Sequence, residues 1–128
     1  DFETSNKILQ TLIYNNVDII EIGMPFSDPM ADGPTIQLSS NRALSQGINL
    51  NDIFKLVSSS KKLNDKLPII LMGYYNVILH YGIKKFVSCC VSNGVDGIIV
   101  VDLQPDEDNE LMLELKKNSI TTNEYQTI

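Results

Sequence analysis

Val17-Asp-Ile-Ile-Glu-Ile-Gly-Met-Pro-Phe-Ser-Asp-Pro-Met-Ala-Asp-Gly-Pro-Thr-Ile-Gln37 opens on the run that decides the fold. Val17 to Ile22 is short, rich in β-branched residues and bounded by Asn16 and Gly23, the pattern of a strand. A loop punctuated by Pro25, Pro29, Gly33 and Pro34 follows, holding Asp28 and Asp32, before a helix begins near Thr35. So many fixed backbone angles are costly to keep unless the side chains of the loop must be aimed.

The same unit repeats outward from this stretch. Upstream, Ser5 to Asn15 places Ile8, Leu9, Leu12 and Ile13 at helical spacing, with Thr4 or Ser5 as cap. Downstream, Thr35 to Ser45 and Leu50 to Leu63 read as helices separated by Gly47. Pro68 to Met72 reads as a second strand ended by Gly73. Val77 to His80 and Ile83 to Asn93 are helical pieces broken at Gly82, and Val95 to Val101 is a third strand, apolar as buried parallel strands are. A last helix is expected from about Pro105 to Lys117, with Asp106, Glu107 and Asp108 at its positive dipole end and Lys116 and Lys117 at its negative end. That acidic cluster is better read as a solvated helix start than as a metal site.

Strand-plus-helix units in series predict a parallel α/β architecture with right-handed crossovers. Three parallel strands fall short of the eight, on about 250 residues, that close a barrel. Residues 1–120 are therefore expected to form one incomplete (β/α)8 domain. Thr121 to Ile128 holds no apolar run where the next strand belongs, and is expected to be a divergent or disordered tail.

Composition sets the outer bounds. The chain has 128 residues, 43% of them hydrophobic, enough for one core. A formal charge of −6 without any basic stripe weighs against nucleic acid or an anionic membrane surface as partner. No apolar stretch approaches the ~20 residues that cross a bilayer. The chain opens on Asp1 and shows no leader, so any targeting segment would lie upstream. Adjacent Cys89 and Cys90 suit neither a disulfide nor a Cys-x-x-Cys site, and are expected to be reduced helix residues with at least one packed inward. Reduced thiols point to the cytoplasm, or to a plastid if a transit segment precedes Asp1.

In a parallel barrel, side chains at the carboxyl ends of strands and on the following loops build the site. By alternation Glu21 shares a face with Val17 and Ile19, opposite Asp18, Ile20 and Ile22. A carboxylate among buried aliphatics is expected to be partly desolvated, which favours the protonated acid and suits proton donation. It can equally be a buried structural glutamate paired with a backbone group. Asp32 supplies a second carboxylate eleven residues later, although an aspartate beside glycine is also an ordinary turn residue.

Glu21 to Gln37 closely resembles the signature of the tryptophan synthase α subunit family. The resemblance continues through Arg42-Ala-Leu44 and Gly47, Pro68-Ile-Ile-Leu-Met-Gly-Tyr-Tyr-Asn76 and Gly94-Val-Asp-Gly-Ile-Ile-Val-Val-Asp-Leu103, covering roughly residues 4–120. It implies a (β/α)8 barrel that cleaves indole-3-glycerol phosphate to indole and glyceraldehyde 3-phosphate without metal or organic cofactor. Glu21 would be the general acid/base, and Asp32 the carboxylate that accepts the indole N–H and stabilises developing positive charge. Tyr74, Met72, Ile99 and Val101 match the indole pocket, although the aliphatics are also ordinary strand core. Asp28, Pro29 and Asn76 match the side facing a β subunit, in an αββα complex whose pyridoxal phosphate belongs to that partner. Asp28 would also serve as a plain turn initiator.

Departures from the family pattern are expected to matter. The first barrel strand, the later strands and the glycine-serine turns that hold substrate phosphate have no counterpart here, and Gln104 stands where the family often has proline. These 128 residues alone are expected to be inactive. The alternatives are a non-catalytic fragment that keeps the β-subunit surface, and a remnant that does not function.

Overall fold

The computed structural model describes residues 1–103 and 109–122. Its elements run α1 (Phe2–Tyr14), β1 (Ile20–Gly23), α2 (Pro34–Ser45), α3 (Leu50–Leu63), β2 (Ile69–Gly73), α4 (Tyr75–Tyr81), α5 (Ile83–Asn93), β3 (Gly97–Val100), α6 (Asn109–Lys117) and β4 (Thr121–Thr122). The four strands form one parallel sheet in the order β1-β2-β3-β4. The alternation of strand and helix is as the sequence predicts, with shifts at the ends. α1 starts before the expected Ser5, because the Asp1 carboxylate accepts the Thr4 amide at 2.8 Å and caps it. The first strand begins at Ile20 rather than Val17, after a turn in which Asn16 takes φ 57°, a left-handed geometry that asparagine tolerates. The expected helix start at Pro105 to Asp108, with Gln104, lies outside the described residues.

The sheet carries one strand more than expected. Thr121 and Thr122 pair in register with Gly97 and Ile98, and Thr121 N–H donates to the Asp96 carbonyl at 3.0 Å. Position in the sheet, not hydrophobicity, makes this strand: buried Ile120 anchors the segment and Ser119, at φ 59°, turns the chain into it. β3 is consequently an inner strand. β1 is an edge strand among the described residues.

One face of the sheet builds the core. Ile20, Ile22, Ile69, Leu71, Ile98 and Val100 alternate onto that face and are buried under the helices, with Val57, Phe86, Cys90, Leu111 and Leu115 packed above them. Of the two cysteines, both free, Cys90 is buried and Cys89 half-buried. α3 is held at its start by a capping box, in which the Asn49 side chain accepts the Asn51 amide at 2.9 Å and Asp52 accepts the Asn49 amide at 3.2 Å. At its other end Lys61 ties the helix to the amino-terminal end of the sheet, donating to Asp96 Oδ2 at 2.7 Å and to the Leu67 carbonyl at 2.8 Å. The same Asp96 oxygen accepts the Ile69 amide at 2.9 Å, so β2 starts at a charged clamp.

The opposite face is the inner one. Parallel register sets Glu21 beside Ile70 and Gly97, and Gly23 beside Met72 and Ile99. No residue of α2 is buried, and Ile36 and Leu38 on it are exposed. No helix among the described residues is long and apolar enough to cross a membrane.

Candidate active site

The site lies where the strands end and their loops begin. β1 delivers Glu21 two residues before its end, and the ladder continues one step further as Met24 N–H donates to the Met72 carbonyl at 2.7 Å. The chain then leaves the sheet in the loop of residues 24–33. Pro29 is buried inside it, and Asp32 N–H closes a turn onto the Pro29 carbonyl at 3.0 Å. Gly33 and Pro34 end the loop at the N-cap and first position of α2, where proline's missing N–H costs nothing.

Tyr74, at the end of β2, holds this loop from the side. Its ring is tilted 33° against Phe26 with centroids 5.3 Å apart, and its hydroxyl accepts the Ala31 amide at 3.0 Å. Burial pushes the Tyr74 phenol above the usual tyrosine range; the Ala31 amide opposes this, while hydrogen bonding and charge from Asp32 add to it. The phenol therefore keeps its proton at neutral pH beside the Asp32 carboxylate. The turn after β2 is fixed in its own way, by Asp102 at the end of β3, whose carboxylate accepts the Tyr75 amide at 2.7 Å.

One open cleft of about 920 Å³ has Glu21, Asp32, Tyr74, Met72 and Val101 on its wall. Five of the residues singled out from the sequence thus line the same cleft. Ile99 is not part of the wall, though its register beside Met72 puts it on the same face. Asp28 and Asn76 are exposed, and Asp28 is turned onto its own loop by the Ser27 hydroxyl, which donates to its carboxylate at 2.8 Å.

Glu21 corrects one expectation. It is exposed rather than desolvated, as is Ile19 on the same face at 53%. The alternation holds, but the buried side of β1 is that of Ile20 and Ile22, which meets the helices; the side carrying Glu21 opens into the cleft. Phe26, Ala31 and Asp102 are parts of the site that sequence reasoning does not single out. Asp102 carries a usable signal, being an acid just beyond a strand's carboxyl end, whereas a backbone amide such as that of Ala31 carries none.

Known proteins resemble this chain over most of its length. A family model described as tryptophan synthase alpha chain matches residues 1–124. A tryptophan synthase alpha chain from Geotalea uraniireducens (strain Rf4) is 54% identical over 110 residues, covering 86% of this chain and 41% of that protein. The crystal structure of tryptophan synthase subunit alpha from Legionella pneumophila str. Paris matches with a TM-score of 0.89 at 38% identity, over 94% of this chain and 46% of that one. A chain from the tryptophan synthase a2b2 complex of the hyperthermophile Pyrococcus furiosus matches with a TM-score of 0.87 at 38% identity, over 95% and 48%. The chain thus spans about half the length of these relatives, and its parallel α/β sheet corresponds to half of their TIM barrel. Matched over nearly all of its length, the chain belongs to the tryptophan synthase alpha chain family.

Proposed function

We propose that this chain carries the proton-transfer half of a lyase site of tryptophan biosynthesis, which cleaves indole-3-glycerol phosphate to indole and glyceraldehyde 3-phosphate. The observation that carries the reading is the placement of Glu21 and Asp32 on the wall of one cleft, with Tyr74, Met72 and Val101. Cleavage needs two things at once. A proton must reach ring carbon C3, which breaks aromaticity and leaves positive charge on the ring, and a base must take the hydroxyl proton from the adjoining glycerol carbon. The O–H electrons then form the aldehyde C=O. The carbon–carbon bond to the ring breaks, and its electron pair restores the indole. Glu21 serves as the acid and base of these transfers, and the Asp32 carboxylate holds the ring N–H as its positive charge develops. The open side of the cleft gives the flat heterocycle access to both groups.

Asp28, Pro29 and Asn76 fit the side of the loop that faces a β subunit, to which indole would pass and which would bring its own pyridoxal phosphate. What supports this is the exposure of Asp28 and Asn76 and the membership of a Pyrococcus furiosus relative in an a2b2 complex. Pro29, buried within the loop, would act there by shaping it.

The test is indole release from indole-3-glycerol phosphate, measured for the chain alone and for the chain joined to the remaining sequence of the Geotalea uraniireducens relative. The chain alone is expected to show negligible turnover, the joined protein to turn over, and Glu21→Gln in the joined protein to abolish it. Undiminished turnover by the Glu21→Gln protein would remove Glu21 from the mechanism.

A further inference from the structure

We propose that Asp102 is a positioning residue for the loop that carries Asp32, acting through Tyr74; this rests on the reading of Asp32 as a catalytic carboxylate. Asp102 is exposed and is not on the wall of the cleft, so neither core packing nor contact with a ligand accounts for its placement. Among the described residues, its hydrogen-bond partner is a single backbone group. Its Oδ1 accepts the Tyr75 amide at 2.7 Å, a short charge-assisted bond across 27 residues of chain.

The bond falls where the sheet can no longer help. The β2–β3 ladder continues as far as Val101 N–H donating to the Gly73 carbonyl at 2.9 Å. Tyr74, the next residue, is the N-cap of α4 and has no side-chain oxygen placed to satisfy the first helical amides. Asp102 supplies that acceptor from the neighbouring strand end, and places negative charge at the positive end of the helix.

Fixing the Tyr75 peptide fixes the direction in which the Tyr74 side chain leaves the backbone. The ring then stands 5.3 Å from that of Phe26, centroid to centroid, and its hydroxyl accepts the Ala31 amide at 3.0 Å. The carboxyl ends of three successive strands are thereby tied in sequence: β3 by Asp102 to the turn after β2, and that turn by Tyr74 to the loop after β1. Asp32 follows Ala31 directly.

Amide hydrogen exchange of the chain, read residue by residue by NMR, tests the proposal. Asp102→Ala is expected to speed exchange at Tyr75, which it touches, and also at Ala31, which it does not, each by about tenfold or more, while Met24 in the ladder stays within about twofold. Asp102→Asn retains an acceptor oxygen and is expected to restore protection at Ala31. Unchanged exchange at Ala31 in Asp102→Ala would reduce Asp102 to a helix cap and overturn the proposal. So would equal acceleration at Met24, which would mark a general loss of the fold, or failure of Asp102→Asn to restore Ala31. The experiment reads no turnover, so it stands or falls separately from the lyase reading.

Discussion

The Tyr74 hydroxyl accepts the amide hydrogen of Ala31 at 3.0 Å, joining groups 43 residues apart. Ala31 lies in the loop that takes Asp32 off the sheet, where no ladder bonds hold the backbone. Its main internal ties are the short bonds of Met30 N–H to the Asp28 carbonyl at 2.8 Å and of Asp32 N–H to the Pro29 carbonyl at 3.0 Å. Those bonds shape the loop but do not place it. The phenol, with the Phe26 ring against its own, ties the loop to the end of β2 and so relates Asp32 to the strand bearing Met72.

Tyr74→Phe is therefore expected to keep the aromatic contact with Phe26 while leaving a partly buried amide without its partner. A loss of about 1 kcal/mol is expected, seen as a lower urea midpoint with unchanged slope. Tyr74→Ala removes the ring as well and is expected to cost about 3–5 kcal/mol, by analogy with other buried aromatics. Equal midpoints for Tyr74→Phe and the parent would mean that water replaces the hydroxyl without loss.

Much of the architecture is legible in the sequence because burial writes itself as periodicity. The α3 and α5 boundaries follow from their flanking asparagine and glycines, and the strands from their β-branched runs. Glu21 shows the limit. Alternation assigns it a face, but whether that face is covered depends on what stands opposite, which no local pattern records. β4 shows another: Thr121 and Thr122 become a strand by lying beside Gly97 and Ile98. The cleft is legible as residue types at strand ends. The Tyr74–Ala31 and Asp102–Tyr75 bonds are not, because each has a backbone amide as donor and is separated by dozens of residues.

Alkaline pH is expected to destabilise the fold. Its hydrogen bond with Cys89, then burial, pushes the Tyr81 phenol up to about 12, and Tyr74 is raised as well, chiefly by burial. A phenol raised in the folded state holds its proton more tightly there than in the unfolded chain. The folded form then binds more protons, and stability falls as pH rises. The phenol contribution is fully present below the unfolded value of about 10 and is lost toward the folded one. Cys90, raised by burial and by neighbouring Cys89, acts in the same direction from the ordinary thiol range upward. Urea midpoints measured from pH 8 to 12 are expected to decline throughout, and Tyr81→Phe to flatten the upper part of the curve. A midpoint that rises above pH 10 would contradict the assigned environments.

Gly73 is the residue that lets the site-bearing loop leave β1 so close to β2. A Cβ built there meets Met24 Cε at 2.8 Å and Met24 Cβ at 2.9 Å. Met24 is buried and begins the loop, so its side chain has little room to yield. Gly73→Ala is expected to destabilise by about 1–3 kcal/mol through overpacking, read by urea unfolding. It should also displace the first residues of the loop, seen as changed amide shifts at Met24 and Phe26. A Gly73→Ala protein as stable as the parent, with those shifts unmoved, would show that the Met24 side chain relocates freely.

The two carboxylates of the cleft should separate kinetically. In the protein completed with a relative's remaining sequence, Glu21→Gln removes the only proposed proton donor and acceptor, so both transfers stop. Asp32→Asn keeps a side-chain oxygen able to accept the indole N–H but loses the negative charge that faces the developing cation. Its binding of substrate should change little, because the N–H contact exists before reaction, while kcat should fall by about 10²–10³ or more, since the lost interaction grows only as the ring becomes positive. Steady-state measurements of kcat and KM for indole release distinguish these cases. A loss in kcat below about tenfold would reduce Asp32 to a turn residue that closes onto Pro29, and a rise in KM alone would assign it to ground-state binding. Asp32 is partly buried beside the protonated Tyr74, where its interaction with a developing cation is screened less than in open water, so the large fall in kcat is the expected result.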